Sequence, residues 1–199
     1  AATKFFEGEL FSRPEVRKYL RSRGVSEGTA LEWRLGYAPA AWEELSQHLL
    51  AKGFSKDEIV EAGFAVRSEK KQGEVFDRFR GRIMFPIRDI SGRTVGFSGR
   101  IFEDDPGKPQ AKYINSPETK VFHKSRILYG LDTAREGIRK YGFAMLVEGQ
   151  VDLLMAHQLG FTSTVALSGT SFTDAHAALI KRHTDNLLIA FDGDTAGVA

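Results

Sequence analysis

Two apolar runs, Phe143-Ala144-Met145-Leu146-Val147 and Leu187-Leu188-Ile189-Ala190-Phe191, lead straight into an acid and a glycine. The first continues into Glu148-Gly149, the second into Asp192-Gly193-Asp194. The patterning between and before them predicts a helix over 132–140, another over 151–159 ending at Gly160, and a third over 174–182 capped by Thr173. A short strand is expected over 163–166. Strands alternating with helices imply parallel strands joined by right-handed crossovers. In open sheets of this kind, ligands bind beyond the carboxyl ends of the strands. Glu148 and the Asp192/Asp194 pair therefore fall on one rim. Asp192 and Asp194 are two apart, so extended chain points both carboxylates to the same side.

Carboxylates gathered at one rim repel one another unless a divalent cation sits among them. Mg²⁺ prefers hard oxygen ligands and keeps waters or phosphate oxygens in its shell. Three acids from separate strands can hold one or two such ions, an arrangement suited to phosphoryl transfer. Asp-Gly-Asp alone reads equally as a solvated turn. Its pairing with Glu148 after a second apolar strand makes the metal reading the better one. Asp152, four residues after Glu148, is either a supporting acid or a carboxylate favoured by the helix dipole.

Charge is divided along the chain. Residues 67–124 carry 13 Lys/Arg against 8 Asp/Glu, and residues 142–199 carry 2 against 6. A basic stretch beside an acidic one fits a polyanion groove next to a divalent-metal site. Cysteine is absent, which excludes disulfides and Cys-ligated zinc within these 199 residues. No apolar run reaches eighteen residues, so no membrane span is expected, and the start lacks the apolar core of a signal peptide. A cytoplasmic location is the default expectation.

Residues 1–66 read as short helices. Pro14 suits a first turn ahead of Val16, Tyr19 and Leu20, and a second helix is expected over 26–34. Trp42, Leu45, Leu49 and Leu50 are expected on one face of another helix that Gly53 ends. Ser55 and Glu58 stand in the capping-box relation, opening a helix that ends at Gly63. From Val66 onward, Ile83-Met84-Phe85-Pro86-Ile87 and Thr94-Val95-Gly96-Phe97 read as strands flanking a hairpin loop, and 104–109 reads as an exposed turn.

Several longer motifs carry a family resemblance. Val147-Glu148-Gly149-Gln150-Val151-Asp152, Leu167-Ser168-Gly169-Thr170-Ser171 and Phe191-Asp192-Gly193-Asp194-Thr195-Ala196-Gly197 resemble the motifs of a TOPRIM domain. Upstream, Asp77-Arg78-Phe79-Arg80-Gly81-Arg82-Ile83-Met84-Phe85-Pro86-Ile87 is similar to a signature of bacterial DnaG-type primases. So are Val95-Gly96-Phe97-Ser98-Gly99-Arg100, Lys112-Tyr113-Ile114-Asn115-Ser116-Pro117-Glu118-Thr119, Phe122-His123-Lys124 and Leu128-Tyr129-Gly130-Leu131. Arg34-Leu35-Gly36-Tyr37-Ala38-Pro39 also resembles the family.

The resemblance implies an α/β chain: an α+β N-terminal subdomain, then a partial TOPRIM parallel-sheet subdomain. Its parts would be 1–66 (helical), 67–130 (basic and strand-rich) and 131–199 (TOPRIM, cut off at its C-terminal side). It implies a DNA-dependent RNA polymerase making short primers by two-metal nucleotidyl transfer. Glu148, Asp192 and Asp194 match the metal-binding acids, for Mg²⁺ or Mn²⁺, and Asp152 matches a further catalytic acid. Arg78, Arg100, Lys112, Asn115 and Lys124 match positions that face nucleotide or template phosphates. Arg80 and Arg82 alternate with Arg78 and are expected to share its strand face and contact the DNA backbone. The implied partners are a single-stranded DNA template, ribonucleoside triphosphates and, through a C-terminal domain missing here, the replicative helicase, with the protein a monomer.

Three departures stand out. The family's zinc-ribbon domain is missing, so zinc would belong to a preceding segment. The chain stops at Ala199, before the family's next Asp-rich motif and helical subdomain. Gln150 stands where the family often has an aromatic. Without that helical subdomain, the 187–191 strand is expected to want a covering element. Two rival readings stay open: a non-catalytic fragment binding single-stranded DNA or nucleotides through the basic residues, and a TOPRIM nuclease or topoisomerase.

Overall fold

The computed structural model describes residues 1–69, 71–103, 110–169 and 171–191. The expected 104–109 turn and the acids Asp192 and Asp194 lie outside the described residues.

Helix α1 (Ala2–Ser12) buries Ala2, Phe6 and Leu10. Helix α2 (Pro14–Ser22) opens on Pro14, whose missing N–H would have no partner in a first turn anyway, and buries Val16 and Leu20. Helix α3 (Glu27–Glu32) starts at Ser26, whose hydroxyl accepts from the Thr29 N–H at 3.1 Å. Strand β1 (Gly36–Ala38) then interrupts a segment whose patterning reads as helices throughout. Three residues are too few to show alternation, and all three are buried. The strand exists because a partner strand, β4 (Arg82–Arg88), supplies its hydrogen bonds and because Gly36 lets α1 approach. A Cβ on Gly36 would sit 2.4 Å from the Phe6 Cβ.

Helix α4 (Glu44–Ala51) buries Leu45 and Leu49, while Leu50 and Trp42, which precedes the helix, are exposed; the expected four-residue face is thus narrower. Its N-terminus is capped from 32 residues away. Asp77 accepts from the Leu45 N–H (2.8 Å), the Ser46 N–H (2.9 Å) and the Ser46 hydroxyl (2.5 Å). Helix α5 (Lys56–Glu61) carries the Ser55/Glu58 capping box, as the sequence predicts.

Strands β2 (Ala65–Arg67) and β3 (Val75–Asp77) form a two-stranded hairpin. β4 pairs antiparallel with β5 (Thr94–Ile101), and β5 with β6 (Tyr113–Asn115), giving a four-stranded sheet ordered β1-β4-β5-β6. The β4–β5 loop is held by Asp89, which accepts from the N–H groups of Ser91 and Arg93. Because β3 ends at Asp77 and β4 begins at Arg82, Arg78 and Arg80 lie in irregular chain. The expectation that Arg78, Arg80 and Arg82 alternate along one strand face is therefore corrected. Gly81, at φ +60°, turns the chain between them.

Beyond a 3₁₀ turn (Lys124–Arg126) come α6 (Leu131–Tyr141), β7 (Ala144–Val147), α7 (Gln150–Gln158), β8 (Thr164–Ala166), α8 (Asp174–Lys181) and β9 (Leu187–Ile189). The strands form a parallel sheet ordered β8-β7-β9, matching the predicted alternation. Among the described residues β9 is an edge strand, with Leu188 and Ile189 more than half exposed.

The two sheets share a core. Leu10, Val16, Leu35, Ile83 and Phe85 from the first half pack in one buried cluster with Val147, Leu153, Leu154 and Ala166 from the second. Trp33 stacks on Tyr129 at 5.7 Å, and Tyr129 exchanges both main-chain hydrogen bonds with Ala166. This packing fixes how the antiparallel sheet meets the carboxyl end of the parallel one.

Candidate active site

β7 is the central strand of its sheet because Ala144, Leu146 and Val147 are buried. Where it ends, Glu148 emerges into solvent. Gly149 is the N-cap of α7, and Asp152 lies in the first turn of that helix. A Cβ on Gly149 would meet the Asp152 carboxylate at 2.6 Å. Glycine thus leaves room for Asp152 to fold over the helix N-terminus, beside Glu148, where the helix dipole favours negative charge. β9 runs parallel to β7, with Leu146 opposite Ile189 and the Ala190 N–H donating to the Leu146 carbonyl at 2.9 Å. It thus delivers the chain, just before Asp192, to the rim that carries Glu148.

Facing this rim are β5 and β6. Main-chain bonds join Ser116 to Phe97 and Ile101 to Lys112, so the pairs Ser98/Asn115 and Arg100/Tyr113 are of the non-hydrogen-bonded kind, with side chains close together on one face. The Arg100 guanidinium lies 5.3 Å from the Tyr19 ring and 6.0 Å from the Tyr113 ring. Two aromatic faces hold its planar fork in place. Burial raises the Tyr113 phenol above its ordinary pKa, with Arg100 pulling the other way. Lys112 is exposed beside them.

The two walls enclose an open cleft of about 350 Å³. It is lined by Arg23, Ser98, Arg100, Lys112, Tyr113 and Asn115 on one side and by Glu148, Gly149, Gln150, Val151, Asp152, Ser168 and Gly169 on the other. Asn115 ties the walls together, its side-chain N–H donating to the Ser168 carbonyl at 2.5 Å. Of the residues singled out in the sequence, Glu148, Asp152, Arg100, Lys112 and Asn115 meet here. Arg23, which follows α2, joins them and was not foreseen. Nothing in its local sequence sets it apart from the other cations of that helix.

The other four cations singled out in the sequence lie outside the cleft lining. Arg78 borders it, its Nε donating to the Asn115 carbonyl at 3.4 Å. The Arg80 guanidinium sits over the exposed Trp42 ring, 4.1 Å from its centroid, and donates to the Asp77 carbonyl. Lys124 sits in the 3₁₀ turn, its N–H donating to the Glu118 carboxylate at 2.9 Å. Arg82 is buried and spends its guanidinium on the carbonyls of Gly99 and Ala111, each at 3.0 Å. That makes it a tie between β4, β5 and the segment before β6, which corrects the expected DNA-backbone contact. A second groove of about the same volume, between α5 and β5, has Glu58, Glu61 and Lys120 among otherwise mainly apolar walls and shares no residue with this cleft.

Comparison with known proteins agrees with this fold. Residues 5–135 match the family described as "DNA primase catalytic core, N-terminal domain", and residues 145–199 match a "Toprim-like" family. The DNA primase of Deinococcus radiodurans is 46% identical over 181 residues, covering 90% of this chain and 31% of that protein. The chain spans about a third of the length of the curated relatives it matches. Among solved structures, the zinc-binding and RNA polymerase domains of the Aquifex aeolicus primase superpose with a TM-score of 0.90 at 36% identity, covering 99% of this chain and 47% of that one. The RNA polymerase domain of Mycobacterium tuberculosis primase, in complex with a double-stranded DNA oligomer with a 6-nucleotide overhang, superposes at 0.88 with 36% identity, covering 98% and 63%.

Proposed function

The chain belongs to the family of DnaG-type DNA primases, and from that premise we propose that it carries the nucleotidyl-transfer site of a DNA-dependent RNA polymerase that makes primers on single-stranded DNA. One observation carries this reading: Glu148 and Asp152 on one wall of a cleft face Arg23, Arg100 and Lys112 on the other. A triphosphate needs cations along its length and a metal-binding acid at its reacting phosphorus.

Arg100, braced between Tyr19 and Tyr113, grips phosphate oxygens as a fork, and Lys112 and Arg23 act as flanking charges. Arg78, Arg80 on Trp42, and Lys124 are assigned to the template strand. Phosphate contact and stacking on an exposed aromatic are the two usual ways to hold single-stranded DNA. Asn115 keeps the walls at a fixed separation.

The donor chemistry of the rim fits a hard divalent cation. Carboxylates suit Mg²⁺ or Mn²⁺, and Glu148 is exposed at a strand end with a glycine after it, so a hydrated ion can approach. Glu148 would hold it together with Asp192 and Asp194, with Asp152 in support. When bound, such an ion neutralises triphosphate charge and lowers the pKa of the attacking 3′-hydroxyl.

Glu148→Gln in the full-length protein tests this. Primer synthesis on single-stranded template with Mg²⁺ should fall by about a thousandfold, as for loss of a group acting mainly in the transition state. DNA retention should stay nearly unchanged. Full primer yield from that variant would refute the assignment.

A further inference from the structure

Among the described residues that line the cleft, three side-chain atoms with almost no accessible surface have no hydrogen-bond partner: Ser98 Oγ, Asn115 Oδ1 and Ser168 Oγ. Ser98 and Ser168 are each at least 98% buried. Proteins keep few such orphans, and each one asks for a missing partner. These three are neighbours. Ser98 lies opposite Asn115 across the β5–β6 ladder, and Asn115 holds the main chain of Ser168. All three residues line the same cleft. We propose that Ser98, Asn115 and Ser168 form a socket for the ribose hydroxyls of a nucleotide in this cleft, and that the socket selects ribonucleotides over deoxyribonucleotides.

The chemistry of the three atoms decides the ligand group. The Asn115 amide cannot be reversed, because its N–H is committed to the Ser168 carbonyl and a flipped amide would set oxygen against oxygen. Oδ1 is therefore an acceptor waiting for a donor. A phosphate has no proton to give it, and phosphates are already served by Arg23, Arg100 and Lys112 along the same cleft. The two serine hydroxyls both donate and accept. A group matching one fixed acceptor and two ambivalent hydroxyls must itself donate and accept, which a sugar hydroxyl does. The 2′-hydroxyl is the group by which a protein tells RNA from DNA. Buried polar groups reject strongly an analogue that leaves them unpaired.

This inference rests on the primase reading for the nucleotide, and its test separates the two. Ser98→Ala and Ser168→Ala are made singly and together in the full-length protein. Neither removes an internal hydrogen bond of the side chain, so both should fold. The first readout is the ratio of kcat/KM for a ribonucleoside triphosphate to that for its 2′-deoxy counterpart during primer extension. The second, which needs no catalysis, is the ratio of ATP to 2′-deoxyATP affinity in competition with a base-labelled nucleotide.

Each single change should lower both ratios by about fivefold to tenfold, through weaker handling of the ribonucleotide alone, as expected for one lost hydrogen bond. Unchanged ratios would overturn the socket, as would equal losses with both sugars, which would mark a merely structural role. A wild-type protein without ribose preference in binding would also overturn it. Ribose preference erased by alanine in a protein that makes no primers would keep the socket and discard the primase reading. Primers made with preference intact in both variants would do the reverse.

Discussion

The side-chain amide of Asn115 donates to the main-chain carbonyl of Ser168 at 2.5 Å, joining the last strand of the antiparallel sheet to the turn after β8. Asn115→Ala removes this tie and leaves a carbonyl unpaired at the wall of the cleft. Net stability should drop by about 1 kcal/mol, the usual worth of one hydrogen bond. Primer synthesis should fall more steeply, by about tenfold or more, because a shift of about an ångström between walls misplaces the reacting groups. Denaturant melts beside a primer assay compare the two effects. Equal, small losses in both would show that the contact does not set the geometry of the cleft.

Gly149→Ala tests the acid pair. Gly149 has φ −111°, which alanine adopts without strain. Its added methyl would meet the Asp152 carboxylate at 2.6 Å. Since a carboxylate can swing aside, the fold should survive, with a melting midpoint within about 2 °C of the parent. Asp152 would be displaced from the helix end beside Glu148, and primer synthesis should drop by about tenfold. A variant with full activity would show that the position of Asp152 is immaterial.

Asp77 opens the basic signature, yet its role in the fold is structural. Its carboxylate is buried, and burial raises its pKa against the hydrogen bonds from Ser46 and Leu45 that lower it. Asp77→Ala strips three donors at the start of α4 of their partner. The expected loss is about 2–4 kcal/mol, combining a lost cap with unsatisfied buried donors. Urea unfolding measures it. Asp77→Asn should lose less, since its side-chain oxygen can still accept. A loss below about 1 kcal/mol for the alanine variant would contradict the capping role.

Acid should weaken the fold through His157. Its ring packs edge-on to Trp33 at 4.9 Å, and burial pushes its pKa below the ordinary histidine value. Nε2 lies 2.9 Å from the Thr164 carbonyl, so the neutral ring donates from Nε2. With the folded pKa below the unfolded one, the unfolded chain binds more protons between the two. The stabilising contribution is therefore complete above pH about 6.5 and is lost as pH falls through the folded pKa. The melting midpoint should decline as pH falls from about 7.5 to about 5.5, and His157→Gln should flatten that decline. An identical slope in the variant would assign the effect to other groups, His48 and His183 among them, whose pKa values burial also lowers.

The alternation of helices and strands from 131 onward, the caps at Ser55 and Thr173 and the β4–β5 hairpin were all legible in the sequence. Each is written in residues close together along the chain: an apolar run, a Ser and a Glu three apart, an Asp opening a loop. The resemblance pointed to Glu148, Asp152, Arg100, Lys112 and Asn115, and these do line one cleft. Alternation with Arg78 led to Arg80 and Arg82, and it held only while the three were read as one strand. Arg80 settles on Trp42 and Arg82 under β5. Asp77 shows the same gap, since its partners, Leu45 and Ser46, lie about thirty residues away.

By itself, then, the sequence determined most of the helices, the β4–β5 hairpin, the parallel strands and Glu148 at a strand end, because backbone periodicity and capping are local properties. Only the tertiary structure decided which cations face Glu148 and Asp152, that Arg23 joins them, that β1 exists, and that Ser98 and Ser168 meet across the cleft without partners. Those outcomes depend on how one sheet docks against the end of another. That docking is set by a core drawn from Leu10 through Ala166, whose packing no stretch of neighbouring residues encodes.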